Sequence, residues 1–384
     1  MKVFDIDTQS FKKIEKIEDA STKIERLIHA IYCYKNNMFE VLYDKTQPTL
    51  KHYVEEFDAD LLYQEGMQFL FFTSGTTGTP TGAYKTKQNL DLEIEDLLKV
   101  LPQKGIKRVV ATVPFIHLYG INIGALLANR LDIELHVKEN FLLQELIDEA
   151  KKEDTLVVTT PLFIKALNRV ESDAGFEKTL FVVSTAPLQK EDAKEFCAKY
   201  NTHVMQIFGS TETGAIAYKM DDATRWKALQ SVELSTRESM LRVSSPFISH
   251  KVLTKSVEDL AQPFQSEDIV KVFGEKEFEL LGRSSNLAKI AGKRVSTLQI
   301  ESMIEDLSDV SSVMIKIRRD ESALKDEILD IYVESDKVLK ASELRKLFSE
   351  NFGSMHIPFK VHNHKKILKS SVGKKIGFEE QNKV

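Results

Sequence analysis

The 384-residue chain holds only 2 cysteines, 9 prolines, 16 glycines and a single tryptophan. Two cysteines, Cys33 and Cys197, provide no disulfide framework and no cysteine-rich metal site, a usage that fits a reducing cytoplasm. Positive charge is not in excess either. Lys and Arg number 53 against 58 Asp and Glu, giving a formal net charge of -5 and a pI near 6.1, which argues against a general nucleic-acid-binding surface. The opening stretch MKVFDIDTQSFKKIEKIED lacks a signal-peptide core, and no apolar run is long enough to cross a bilayer. A soluble, cytoplasmic protein without a membrane span is the expectation. Repeats of solenoid or propeller period and low-complexity tracts are absent as well.

What remains is an ordinary globular composition, 42% hydrophobic, with length for two domains. From Ser21 to about Tyr43, Ile24, Leu27, Ile28 and Ile31 recur at helical spacing behind a start capped by Ser21, Thr22 and Glu25. Further on, short apolar runs at 67–73, 108–113, 155–160, 180–185 and 203–208 read as buried strands. Amphipathic segments such as LEIEDLLKVL, FLLQELIDEAKK and KEDAKEFCAKY read as the helices between them. This alternation predicts an α/β fold with a mostly parallel sheet under helices. In such folds ligands gather outside the carboxyl ends of the strands.

Two polar loops stand at such ends. The first, TSGTTGTPTG from Thr73 to Gly82, concentrates scarce glycine beside hydroxyls, a composition that suits an anion and above all a phosphate, although solvated surface loops are built from the same residues. It lacks the Gly-Lys-Ser/Thr of a Walker loop, and the chain has no GxGxxG. The second, FGSTETG from Phe208 to Gly214, follows the 203–208 run directly. From about Asn286 the texture changes to a small α+β unit ending in a basic tail with five lysines between Lys365 and Lys375. The resulting division is a large N-terminal α/β domain over residues 1–283 and a small C-terminal α+β domain over 284–384.

In this order the segments resemble the adenylate-forming (AMP-binding) superfamily of acyl-CoA synthetases, acyl-carrier-protein synthetases and nonribosomal adenylation domains. TSGTTGTPTG resembles the family's phosphate loop, FGSTET its adenine and magnesium motif, LLGRSSNLAKIAGKRVSTLQIE its interdomain hinge, and LKSSVGKK its catalytic-lysine motif. VPFIHLYG at 113–120 and STAPL at 184–188 resemble substrate-pocket motifs, so the likeness spans about residues 67–375.

The resemblance implies attack of a carboxylate on the α-phosphate of ATP, with Mg²⁺, to give an acyl-adenylate. The acyl group then passes to the thiol of CoA or of a phosphopantetheinyl acyl carrier protein. It assigns Thr73, Ser74, Gly75, Thr76, Thr77 and Gly78 to the β- and γ-phosphates. Thr211 falls on the α-phosphate, Glu212 on Mg²⁺ as a hard oxygen donor, and Phe208 with Gly209 on the adenine. Asp268 and Arg283 are implied at the ribose, and Lys374 as the lysine that reaches between the carboxylate and the α-phosphate. Ser285 takes the hinge position about which a mobile C-terminal domain turns, and His117 that of a gate to the acyl pocket.

The sequence departs from the pattern in several places. Thr81 stands where the family has lysine, the ribose motif reads SED, and the hinge residue is a serine. The lysine motif begins Leu368-Lys369-Ser370, and only about 66 residues precede the strand leading into the phosphate loop. Ser184 and Thr185 replace glycines, which narrows the pocket and, with no aspartate in VPFIHLYG for a substrate ammonium, favours a small fatty or aryl acid. An amino-acid-adenylating enzyme and a non-catalytic nucleotide-binding scaffold are the alternatives.

Overall fold

Residues buried on both faces make the central strands: Arg108–Ala111, Thr155–Thr159 and Thr179–Val183 are buried at every position. The computed structural model describes all residues except 74–79, 103–104, 153, 291–292, 319–326, 354–356, 370–374 and 379–384. It divides into two units. One comprises Met1–Ser235, Arg242–Gln265 and Val272–Glu279, the other Thr236–Leu241, Ser266–Lys271 and Leu280–Val384.

In the larger unit the parallel run is ordered His203–Ser210, Thr179–Val183, Thr155–Thr159, Arg108–Ala111, Glu134–Val137 and Lys2–Asp5. Antiparallel strands extend it at both ends, Ser10–Lys12 beside Lys2–Asp5 and Gly214–Met220 beside His203–Ser210. Helices Leu143–Ala150, Pro161–Asn168 and Lys190–Tyr200 supply Leu146, Ile147, Ile164, Leu167, Ala193, Phe196 and Tyr200 to the core against Val157, Phe181 and Val204. The expected cap of the first helix, Lys23–Lys35, is present. Thr22 Oγ1 accepts from the Glu25 N–H while the Glu25 carboxylate accepts from the Thr22 N–H.

The strand Phe69–Thr73 does not join the parallel sheet, contrary to the simple alternation read from the sequence. It lies in a five-stranded sheet, parallel to Glu40–Leu42 and antiparallel to Thr81–Lys85, with Lys251–Leu253 and Val257–Asp259 beyond. Periodicity cannot separate the two settings, because Phe69, Leu70, Phe71 and Phe72 are buried as completely here as the parallel strands are. The pairing with Thr81–Lys85 runs as far as Thr73 with Thr81.

The smaller unit packs helices Thr297–Glu305 and Ala341–Phe352 on a sheet of Val310–Arg318, Ile328–Ser335 and Phe359–His364. Ile300, Ile304, Leu344 and Phe348 meet Val313, Leu329, Ile331 and Val333 in its core.

Candidate active site

The FGSTETG segment is a tight turn between His203–Ser210 and Gly214–Met220, with a β-bulge at Phe208/Gly209. A Cβ on Gly209 would lie 2.1 Å from the Gly214 carbonyl oxygen, so only glycine fits there. Gly214 itself has φ +70°. Ser210 and Thr213 close the turn on each other: Thr213 Oγ1 accepts from the Ser210 N–H at 3.0 Å and Ser210 Oγ from the Thr213 N–H at 3.2 Å. Phe208 is half-buried, its ring 5.4 Å from Trp226 and 5.6 Å from Phe278.

Two buried ionisable side chains, Lys85 and Glu93, grip this turn. Lys85 Nζ donates to the carbonyls of Glu212 at 3.0 Å and Phe247 at 2.6 Å, while Glu93 accepts from the Ala215 N–H at 3.1 Å. The Ser249 N–H also donates to the Glu212 carbonyl, and Asn89 Nδ2 donates to Pro246. Burial lowers Lys85 to about 8, opposed by Glu93 and Glu212, and burial raises the Glu93 carboxyl. With the backbone of Glu212 fixed by two donors, its half-buried carboxylate has no hydrogen bond or ion pair among the described residues. The sequence reading misses Lys85, Asn89 and Glu93. Asn89, Glu93 and Asp96 recur at helical spacing along Lys87–Val100, a polar stripe that reads as solvent-facing yet is buried against backbone groups.

Thr73 ends the strand Phe69–Thr73, whereas Ser74, Gly75, Thr76, Thr77 and Gly78 lie outside the described residues. His117 stands just before the 120–126 π-helix. Burial lowers its pKa, opposed by the charge of the buried Asp44. Near it, Tyr119 Oη donates to the Val182 carbonyl at 2.8 Å and the Thr159 carbonyl at 3.0 Å, at the carboxyl ends of two parallel strands. Thr211 shares the turn with Glu212 and is half-buried.

In the smaller unit Asp268 and Arg283 meet, Arg283 Nε donating to Asp268 Oδ1 at 2.9 Å. Ser285 sits in a short 3-10 turn, Ser284–Asn286. Lys374 lies outside the described residues, but its neighbour Lys375 is committed. Lys375 Nζ bridges Glu301 at 3.0 Å and Glu305 at 2.7 Å and donates to the Val313 carbonyl. Burial lowers the Lys375 pKa, but the two carboxylates outweigh it and hold the ammonium charged.

For a divalent cation, the unpaired Glu212 carboxylate on its fixed backbone is a fitting hard oxygen donor. Elsewhere His29, Cys33 and Glu40 bring ligand atoms within 4.8 Å of one another and are joined by hydrogen bonds to His29. His29 Nδ1 accepts from the Ile17 N–H, so Nε2 carries the proton facing Glu40 at 3.2 Å and Cys33 Sγ at 3.4 Å. Burial pushes the Cys33 thiol up to about 12.

Residues 3–246 match the family model described as AMP-binding enzyme. A 4-coumarate--CoA ligase from Cereibacter sphaeroides is 24% identical over 243 residues, covering 62% of this chain and 53% of the ligase. A 2-succinylbenzoate--CoA ligase from Listeria monocytogenes is 23% identical over 79% of this chain and 68% of its own. Among solved structures, O-succinylbenzoate coenzyme A synthetase from Bacillus subtilis, in complex with ATP and magnesium, superposes with a TM-score of 0.69 at 16% identity, covering 94% of this chain and 82% of that one. ATP-bound MatB from Rhodopseudomonas palustris gives 0.68 at 18% identity over 80% and 66%. The chain thus spans about half the length of the coumarate ligase it matches, 53%. No helix among the described residues is long and apolar enough to cross a membrane.

Proposed function

The chain belongs to the AMP-binding enzyme family, and from that premise we propose that it is an AMP-forming acid-thiol ligase that activates a carboxylic acid with ATP and Mg²⁺. The observation that carries this reading is the 210–215 turn, gripped by Lys85, Glu93 and Ser249, with the Glu212 carboxylate left without a partner among the described residues. Glu212 binds Mg²⁺, Thr211 contacts the α-phosphate, and Phe208 with Gly209 borders the adenine. The loop from Thr73 through Gly78 cradles the β- and γ-phosphates, and Asp268 with Arg283 takes the ribose hydroxyls. Little covalent chemistry falls to the protein, so rate comes from positioning and from cancelling phosphate charge.

Lys374 supplies a point charge between the attacking carboxylate and the α-phosphate. The 284–384 region acts as a mobile domain turning about Ser285, withdrawing Lys374 before the thiol attacks. His117 gates the acyl pocket. The acid is a small fatty or aryl acid: Ser184 and Thr185 add bulk at the pocket, and relatives are named for 4-coumarate and 2-succinylbenzoate, each of which contains an aromatic ring. Those relatives are CoA ligases, which supports CoA as the thiol, with a carrier protein as the competing acceptor. The setting is cytoplasmic.

Trapping the acyl-adenylate with hydroxylamine across fatty, aryl and amino acids tests this. Hydroxamate with one acid class, dependent on ATP and Mg²⁺, supports the reading. No hydroxamate with any acid would sink it.

A further inference from the structure

Thr185 follows the parallel strand Thr179–Val183 at its carboxyl end and holds φ at +79°. For a β-branched residue this left-handed conformation is strained, and it persists only where surrounding structure imposes it. Its Oγ1 is buried and finds no hydrogen-bond partner among the described residues. A buried hydroxyl without a partner is unfavourable in its own right, so two independent costs coincide in one side chain.

The neighbours explain where that hydroxyl stands. Ser184 Oγ donates to the Ile207 carbonyl at 3.0 Å, tying the 184–185 turn to the strand that delivers Phe208. The parallel register pairs Val183 with Gln206, so Thr185 leaves its strand at the same end from which the neighbouring strand runs on to Phe208. On the other side Tyr119 Oη closes on the carbonyls of Thr159 and Val182. Thr185 therefore stands among the carboxyl ends of the strands, where ligands of such sheets bind.

We infer that Thr185 is a specificity-determining residue whose Oγ1 hydrogen-bonds a polar group of the bound acid or nucleotide, the ligand completing the bond that the protein leaves unmade. The inference rests on the acid-activating reading above and adds the requirement that the complex present a donor or acceptor at this point. A purely hydrocarbon acyl chain meeting Oγ1 would leave the hydroxyl unsatisfied and be disfavoured.

Full-length wild type, Thr185→Val, Thr185→Ser and Thr185→Gly are compared by calorimetric titration with ATP and AMP, by pyrophosphate exchange over the acid panel, and by thermal melting. Thr185→Val removes the hydroxyl while keeping the shape and should cost about tenfold, with Thr185→Ser restoring most of it. If the loss is in ATP and AMP affinity, the hydroxyl meets the nucleotide; if nucleotide affinity holds and kcat/KM for acids with a polar substituent falls, it meets the acid. Thr185→Gly relieves the strained φ and should melt no lower than wild type while sharing the binding loss. Normal binding and exchange by Thr185→Val would overturn the inference alone. Failure of wild type to bind either nucleotide would overturn it together with the reading it rests on.

Discussion

Arg283 Nε donates to Asp268 Oδ1 at 2.9 Å, the aspartate side chain 7% exposed and the guanidinium 36%. The pair joins a carboxylate to a cation, while the Asp268 N–H is held by Ser266 Oγ at 3.0 Å. Asp268→Asn keeps the shape and removes the charge. A lost charge-assisted bond of about 1.5–3 kcal/mol predicts ATP binding weakened by about 10- to 100-fold in calorimetric titration. An unchanged Kd would contradict the ribose role.

Lys85 carries a pH signature. Burial lowers it from 10.5 to about 8, so between those values the unfolded chain binds more protons than the folded one. Its contribution to stability is fully present above 10.5 and is lost as the pH falls through 8. Relative to Lys85→Met, wild type should gain up to about 1.4 kcal/mol per pH unit above 8, measured by urea unfolding at two alkaline pH values. A constant difference between the two proteins would mean that Lys85 is not buried as described.

Gly209 tests the turn that presents Glu212. The Cβ of an alanine would meet the Gly214 carbonyl oxygen at 2.1 Å, and backbone cannot yield as a flexible side chain can. Gly209→Ala should lower Tm by several degrees and abolish Mg²⁺-dependent ATP binding. A folded variant with wild-type affinity would show that the turn tolerates a side chain.

The tandem lysines should separate cleanly. Removing Lys375 leaves Glu301 and Glu305 facing each other part-buried, so Lys375→Met should cost about 3–5 kcal/mol of stability in the smaller unit. Lys374→Ala should leave the unfolding transition where it is. Equal melting of the two variants would contradict this division.

Much of the fold was legible. The strands at 108–111, 155–159, 179–183 and 203–210, the capped helix at Lys23 and the α+β texture after Asn286 all follow from periodicity. The sheet membership of Phe69–Thr73 did not, because a fully buried antiparallel strand and a parallel one present the same apolar run. Both ends of the Asp268–Arg283 pair were recognisable as residues of a family motif, and the structure adds their contact. Lys85 and Glu93 were not recognisable. Their role is to satisfy backbone groups of the 210–215 turn, and a charge buried for a distant carbonyl looks in sequence like any solvated charge. Thr185 was visible as an added side chain, but its left-handed backbone and orphan hydroxyl belong to the fold.

The central claim is that this chain makes acyl-adenylates with Lys374 at the reacting atoms. Carboxylate-dependent exchange of pyrophosphate into ATP, compared between wild type and Lys374→Ala, tests it most directly. The account predicts exchange with one class of small acid that falls by at least about a hundredfold in the variant while ATP binding persists. Exchange undiminished by the substitution, or none with any acid despite bound ATP, would contradict it.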